Sequence, residues 1–101
     1  MTIAIVGGTG AEGAGLALRF ARAGARVRIG SRDLARAQAA AARIGEAAHS
    51  TEVEGFLNQD AVRGADAIVV TVPAESQADI LVAIGPYLSP GAVVVDVRPR
   101  S

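Results

Sequence analysis

The sequence has no cysteine, no lysine and no tryptophan, and it has a single histidine. Without cysteine there is no disulfide, no zinc–thiolate site and no thiol nucleophile. One histidine excludes a histidine metal cluster. All ten basic residues are arginine, which removes lysine Schiff bases, the P-loop lysine and a Tyr-x-x-x-Lys dyad. Net charge is lacking as well: ten basic and ten acidic residues cancel, which argues against a general binder of nucleic acid or membrane surfaces. No apolar run approaches the roughly 20 residues that a membrane helix needs. No cationic segment precedes an apolar one in the manner of a signal peptide. The expectation is a cytoplasmic protein with neither membrane nor nucleic acid as partner.

What is present suits one small domain spanning residues 1–101. Half of the 101 residues are hydrophobic, and a chain of this size buries roughly 60–70% of its unfolded surface, enough for one core. Residues 2–6, TIAIV, carry β-branched side chains at both parities, as a strand covered on both faces does. After a glycine-rich loop, residues 14–23 read as a helix with Leu16, Ala17, Phe20 and Ala21 on one stripe and Gly24 as its stop. Residues 26–30, RVRIG, read as a second strand. Ser31 or Asp33 then caps a helix whose inward stripe is Leu34, Ala37, Ala41 and Ile44, ended by Gly45.

Residues 50–56 read as a polar edge strand, and residues 58–63 as a short helix closed by Gly64. Residues 67–72, AIVVTV, form a buried strand stopped by Pro73. Residues 76–84 form a helix with Ile80, Leu81, Ile84 and, past its end, Leu88 facing inward. After the turn Ser89-Pro90-Gly91, residues 92–97 form a fifth strand, and residues 98–101 a short polar tail. Strands alternating with helices over short connections imply right-handed crossovers and a parallel sheet. The expected architecture is a Rossmann-type three-layer α/β sandwich with a five-stranded parallel sheet in order 3-2-1-4-5. Its crevice lies between the first and fourth strands, over loops 7–13 and 72–75.

The first of those loops carries the chemistry. Five glycines fall within residues 7–15, and Gly8-Thr9-Gly10-Ala11-Glu12-Gly13 fits G-x-G-x-x-G. Alone the pattern is weak, and its bland reading is a glycine-rich turn with no ligand. Here it follows a predicted strand, opens a predicted helix and starts a βαβ unit, the context that a dinucleotide site requires. A diphosphate must approach the backbone with no Cβ in the way, and the free N–H groups of the first helical turn then point at the anion. Gly13, with Gly15 as a further candidate, lets the helix pack closely on the first strand.

The second signal is the end of the second strand. A site that prefers NAD carries an acid there, about 20 residues after the glycines, for the ribose 2′-hydroxyl. This chain has Gly30-Ser31-Arg32, a hydroxyl and a guanidinium that suit a 2′-phosphate. NADP is therefore favoured over NAD. One charge-assisted hydrogen bond contributes roughly 1.5–3 kcal/mol, a preference of about 10- to 100-fold. Arg36, one helical turn beyond Arg32, is placed to clamp the same phosphate or to lie solvated on the helix surface. Asp33 falls near the expected acid spacing but reads as the helix cap.

Other constellations are weaker. The spacing of residues 9–15 fits neither common short-chain dehydrogenase pattern, and Tyr87 has no lysine partner. Glu52 and Glu54 share one face of an edge strand and read as solvated surface. His49 reads as a surface loop residue. Asp96, at the carboxyl end of the fifth strand, either contacts the nicotinamide end of the site or caps the sheet.

With these residues assembled, the chain resembles the NADP-binding half of the F-420-dependent NADP oxidoreductases, which transfer hydride between NADP(H) and a deazaflavin. The matching stretches are IAIVGGTGAEGAGLALRFARAG, VRIGSRDLARA, EGFLNQDAVRGADAIVVTVP and VVVDV. The resemblance implies that Thr9, Ala11 and Glu12 line the diphosphate and nicotinamide side. It implies that Ser31, Arg32 and Arg36 hold the 2′-phosphate, and that Val72, Pro73 and Ala74 flank the ribose and nicotinamide. Hydride passing directly between nicotinamide and coenzyme F-420 needs positioning and no acid–base dyad.

The chain departs from the family twice. The family's C-terminal half, which closes the deazaflavin site and often forms the dimer, has no counterpart in these residues, and Glu12 stands where an apolar residue is frequent. Its carboxylate is expected to point away from the phosphates, toward the open crevice. The alternative function is a non-catalytic NADP(H)-binding module acting as sensor or partner subunit. Open sheet edges make a homodimer an expectation.

Overall fold

A computed structural model describes residues 1–97 of the chain; the tail expected at residues 98–101 lies outside them. The elements run β1 (Thr2–Val6), α1 (Ala11–Arg22), β2 (Arg26–Ser31), α2 (Leu34–Ala48), β3 (Val53–Leu57), α3 (Asn58–Ala61), β4 (Ala67–Val70), α4 (Ala74–Ile84), a 3-10 turn (Gly85–Tyr87) and β5 (Val93–Asp96). All neighbouring strands are parallel, and the order is β3-β2-β1-β4-β5. This is the doubly wound sheet that the alternation of elements predicts. The register pairs Val6 with Gly30 and with Val70, and Gly30 with Phe56. The carboxyl ends of β1 to β4 therefore share one edge, where such sheets bind ligands.

The period-2 alternation of the strands divides the core in two. Ile3, Ile5, Val27, Ile29 and Val69 pack under Ala17, Ala21, Ala37, Ala41 and Ile44 of α1 and α2. On the opposite face, Ala4, Val6, Ile68 and Val70 pack under Ala61, Val62, Ile80 and Ile84 of α3 and α4 and the loop after α3. The many alanines of α2 let it lie close to the sheet. At Gly55 of β3, an added Cβ would fall 2.4 Å from backbone atoms of Ala37 and Gln38.

Several boundaries differ from the sequence reading, each for a tertiary reason. Helix α1 begins at Ala11 rather than at residue 14, because Gly10 is its extended N-cap and the carbonyl of Gly10 accepts from Ala14 N–H at 2.9 Å. Gly15 allows no close packing, since a Cβ there would meet nothing within 4 Å. Asp33, and not Ser31, caps α2, its Oδ1 accepting from Arg36 N–H. That helix runs through Gly45 to Ala48: Gly45 faces β3, and the left-handed stop is the exposed His49 at φ 54°. Leu34 and Leu81, expected inside, are exposed. The buried stripes are Ala37, Ala40, Ala41 and Ile44 on α2 and Gln77, Ile80 and Ile84 on α4.

Strand β3 starts at Val53, three residues later than expected, and the preceding Glu52 instead takes a 2.9 Å hydrogen bond from Arg26 Nε. That bond, reinforced by the charge of Glu52, raises the Arg26 guanidinium above its ordinary value. Helix α3 ends at Ala61 rather than at residue 63. Strand β4 ends at Val70 rather than at residue 72; Thr71 still donates its N–H to the Val6 carbonyl, and its hydroxyl donates to the carbonyl oxygens of Val6 and Gly7. Pro73 then serves as N-cap of α4, which begins at Ala74. Strand β5 covers Val93–Asp96, and all four residues are exposed.

Candidate functional site

The turn after β1 is built by backbone hydrogen bonds that only a glycine-rich segment permits. Gly7 sits at φ 78°, a conformation that residues with a Cβ rarely adopt. Its N–H and that of Gly8 both donate to the carbonyl of Gly30, each at 3.1 Å, which ties the loop to the end of β2. Gly10 N–H closes the turn onto the Gly7 carbonyl at 3.3 Å. Inside the first turn of α1, a Cβ at Gly13 would lie 2.8 Å from both Gly8 Cα and Thr71 Oγ1. The helix therefore meets the loop and the end of β4 in direct contact. Ala14 is the first donor bonded within α1, and no side chain caps the helix. The N–H groups of Ala11, Glu12 and Gly13 are left for another acceptor, at the positive end of the helix dipole.

Beside this loop, at the end of β2 and on the same cleft, stands the Gly30-Ser31-Arg32 turn. Ser31 is buried, at 7% exposure. Its Oγ accepts from Asp33 N–H at 3.1 Å, so its own hydroxyl proton stays available for an anion. Arg32 and Arg36 are exposed and stand on the same wall. The carboxylate of Asp33 is engaged with the backbone of Arg36. The cleft between these walls and the start of α4 has a volume of about 910 Å³.

Seven of the residues singled out from sequence line that cleft: Thr9, Gly10, Ser31, Arg32, Arg36, Val72 and Pro73. Gly8 and Gly13 lie beneath it as buried packing residues. Ala11, Glu12 and Ala74 are exposed at helix starts and do not line it. Ala11 and Glu12 keep their backbone N–H groups unbonded at the start of α1, and Glu12, expected to turn toward the crevice, is exposed and not among the residues that line it.

Sequence reasoning missed the wall contributed by other elements: Asn58 after β3, Thr71 after β4, and Ser76, Asp79 and Ile80 on α4. Their one sequence signal is position, since each lies at or just past the carboxyl end of a predicted strand or one turn into the helix that follows. A smaller hollow of about 390 Å³ adjoins the cleft between Thr9, Gly10 and the α2 residues Arg36, Ala39 and Arg43. Arg43 is two helical turns beyond Arg36 on the same face and adds a second guanidinium to that side. Among the described residues there is no group of three or more side chains suited to hold a metal ion, and no helix is long and apolar enough to cross a membrane.

The fit to a dinucleotide is chemical as well as spatial. One end of the cleft offers unpaired N–H groups and a helix dipole over a surface with no Cβ in the way, which suits a diphosphate. The other offers a hydroxyl proton and guanidinium groups, which suit a phosphate monoester.

Comparison with known proteins identifies a family and related folds. A family model described as NADP oxidoreductase, coenzyme F420-dependent, matches residues 2–100. The F420-dependent NADP reductase of Methanothermobacter thermautotrophicus (strain Delta H) is 50% identical over 86 residues, covering 83% of this chain and 37% of the relative. Its counterpart from Methanothermobacter marburgensis is 41% identical over 98 residues, covering 95% of this chain and 43% of the relative. The chain thus spans about two-fifths of the length of the curated relatives it matches. Among solved structures, Synechocystis arogenate dehydrogenase superimposes with a TM-score of 0.77 at 29% identity, over 96% of this chain and 32% of that one. Malate dehydrogenase from Aeropyrum pernix gives a TM-score of 0.80 at 22% identity, over 97% of this chain and 36% of that one, a likeness of fold alone.

Proposed function

The chain belongs to the coenzyme F420-dependent NADP oxidoreductase family, and from this we propose that it binds NADP(H) in the cleft described above and serves as the cofactor domain of a hydride-transferring reductase. The observation that carries the reading is the pairing of open N–H groups at the start of α1 with the Ser31–Arg32 turn on the same cleft. The diphosphate would rest on the N–H groups of residues 11–13. The 2′-phosphate would take the Ser31 hydroxyl proton and the guanidinium of Arg32, with Arg36 above it. Val72 and Pro73 would flank the nicotinamide ribose, and Ala74 would open the helix beside it.

When bound, the nicotinamide supplies the hydride, and the acceptor proposed is a deazaflavin of the coenzyme F420 type. The chain's own part is to hold the cofactor's phosphates and one face of its ring, leaving the other face open for the partner ring. No proton changes hands at a side chain, which fits a cleft without a buried acid–base pair. The deazaflavin side draws on the part of the relatives' length that this chain does not span. A cytoplasmic setting and the absence of a nucleic-acid partner belong to the same reading, in keeping with the balanced charge. A sensor module without chemistry is not favoured, because the relatives are reductases.

Self-association is also proposed, through the β5 edge. Val93, Val94 and Val95 are 59%, 41% and 45% exposed, and this stretch lacks the charges with which edge strands ordinarily block pairing.

Thermal unfolding tests the cofactor assignment. A ligand at 100 times its Kd stabilises by about 2.7 kcal/mol, roughly 10–20 °C in Tm for a domain of this size. Saturating NADPH is expected to give a shift of that order, and 2′,5′-ADP a smaller one. No shift with either ligand would contradict the assignment.

A further inference from the structure

Asn58 stands directly after β3, beside the Ser31–Arg32 turn, and lines the cleft. It is 6% exposed, and its Oδ1 is the one buried side-chain nitrogen or oxygen without a hydrogen-bond partner among the described residues. That oxygen lies against Gly30, where an added Cβ would come within 2.7 Å of it. A buried acceptor left unpaired costs about 1–3 kcal/mol, and such groups are rare in folded proteins. Folding gives no reason for it, since an aliphatic side chain of the same size would fill the place without the penalty. Gly30, moreover, clears room for the amide at the very turn that faces the ligand.

We propose that Asn58 is a recognition residue for the adenosine half of the cofactor, its side-chain amide accepting a hydrogen bond from an N–H or O–H of the nucleoside. This rests on the cleft being an NADP(H) site. The terminal amide torsion is broad, so a turn about χ2 brings the oxygen from Gly30 to the cleft and puts the –NH2 group in its place. The oxygen that has no partner within the chain then gains one from the nucleoside. Two nucleoside donors have the required chemistry: the exocyclic amine of adenine, which a carboxamide can engage together with a neighbouring ring nitrogen, and the free ribose 3′-hydroxyl.

The test measures NADPH binding and apo stability for the wild type, Asn58→Ala and Asn58→Leu, the second variant keeping the branched four-atom shape of the side chain with somewhat greater bulk. Both are expected to weaken NADPH by about 3- to 10-fold, the contribution of one neutral hydrogen bond. The apo Tm of Asn58→Ala should stay unchanged or rise, because the unpaired oxygen is gone, and Asn58→Leu separates the loss of the amide from the loss of bulk. The hypoxanthine analogue of NADPH, in which a carbonyl replaces the amine, separates the two donors. If the amine is the donor, the wild type binds the analogue more weakly than NADPH and the variants bind the two alike. If the 3′-hydroxyl is the donor, the wild type binds both alike and the variants lose both by the same factor. Variants that bind NADPH as tightly as the wild type overturn the proposal, as does a loss of affinity that merely follows a fall in apo Tm. A wild-type chain that binds no NADPH would overturn the cofactor reading, and this inference with it.

Discussion

At the residue scale, the two sides of the cleft were not equally legible. Ser31 and Arg32 could be read because they follow a strand directly, and a strand end in a parallel sheet has only one edge to face. Asn58 and Thr71 occupy the same kind of position, but they sit in segments whose spacing matches no motif, and only the register of β3 and β4 brings them to the cleft. Thr71 shows why: its hydroxyl, 3.0 Å from the Val6 carbonyl and 3.2 Å from that of Gly7, joins residues more than sixty positions apart. Glu12 allows a direct check of the loop. Its backbone N–H is unbonded at the start of α1, while the residue is exposed and off the cleft lining. Glu12→Leu is therefore expected to leave the Kd for NADPH unchanged or slightly lower. A loss of tenfold or more in a titration would mean that the carboxylate itself holds the ligand.

At the element scale, every strand and helix was legible as to type, because alternation and helical stripes are local. The boundaries were not, because packing and capping set them. The glycines of the loop read as a break before the first helix, yet α1 starts among them at Ala11, since Gly10 is its extended N-cap and Gly13, lacking a Cβ, lets the first turn lie against Gly8 and Thr71. Gly45 reads as a stop, yet α2 passes through it, because its missing side chain is needed against β3 and the stop is His49. The same close packing makes a prediction for Gly55. A Cβ there would press on the backbone of Ala37 and Gln38 at 2.4 Å, and a backbone cannot swing away. Gly55→Ala should lower stability by about 1–3 kcal/mol, seen as a Tm drop of about 4–8 °C per kcal/mol. An unchanged melting curve would show that α2 stands further from the sheet.

At the scale of the whole molecule, the order β3-β2-β1-β4-β5 was legible because the glycine loop after the first strand marks the dinucleotide-binding form of the doubly wound sheet, in which that strand is central. What covers β5 was not, because a sequence of valines reads as buried strand whichever partner buries it. Val93 to Val95 lie exposed at the sheet edge, in contrast to the closely covered β1. If a second copy pairs along this edge, sedimentation should show a concentration-dependent dimer, and Val94→Glu should leave a monomer that still binds NADPH. A wild-type chain that stays monomeric at high concentration would remove self-association from the account.

The central claim is that the Ser31–Arg32 turn reads the 2′-phosphate, and the measurement closest to it is the ratio of NADPH to NADH affinity in the wild type and in Arg32→Ala. The wild type should bind NADPH about 10- to 100-fold more tightly, the contribution of one or more charge-assisted hydrogen bonds. Arg32→Ala should erase most of that difference while leaving NADH affinity nearly unchanged. Equal affinities for the two cofactors in the wild type would contradict the account.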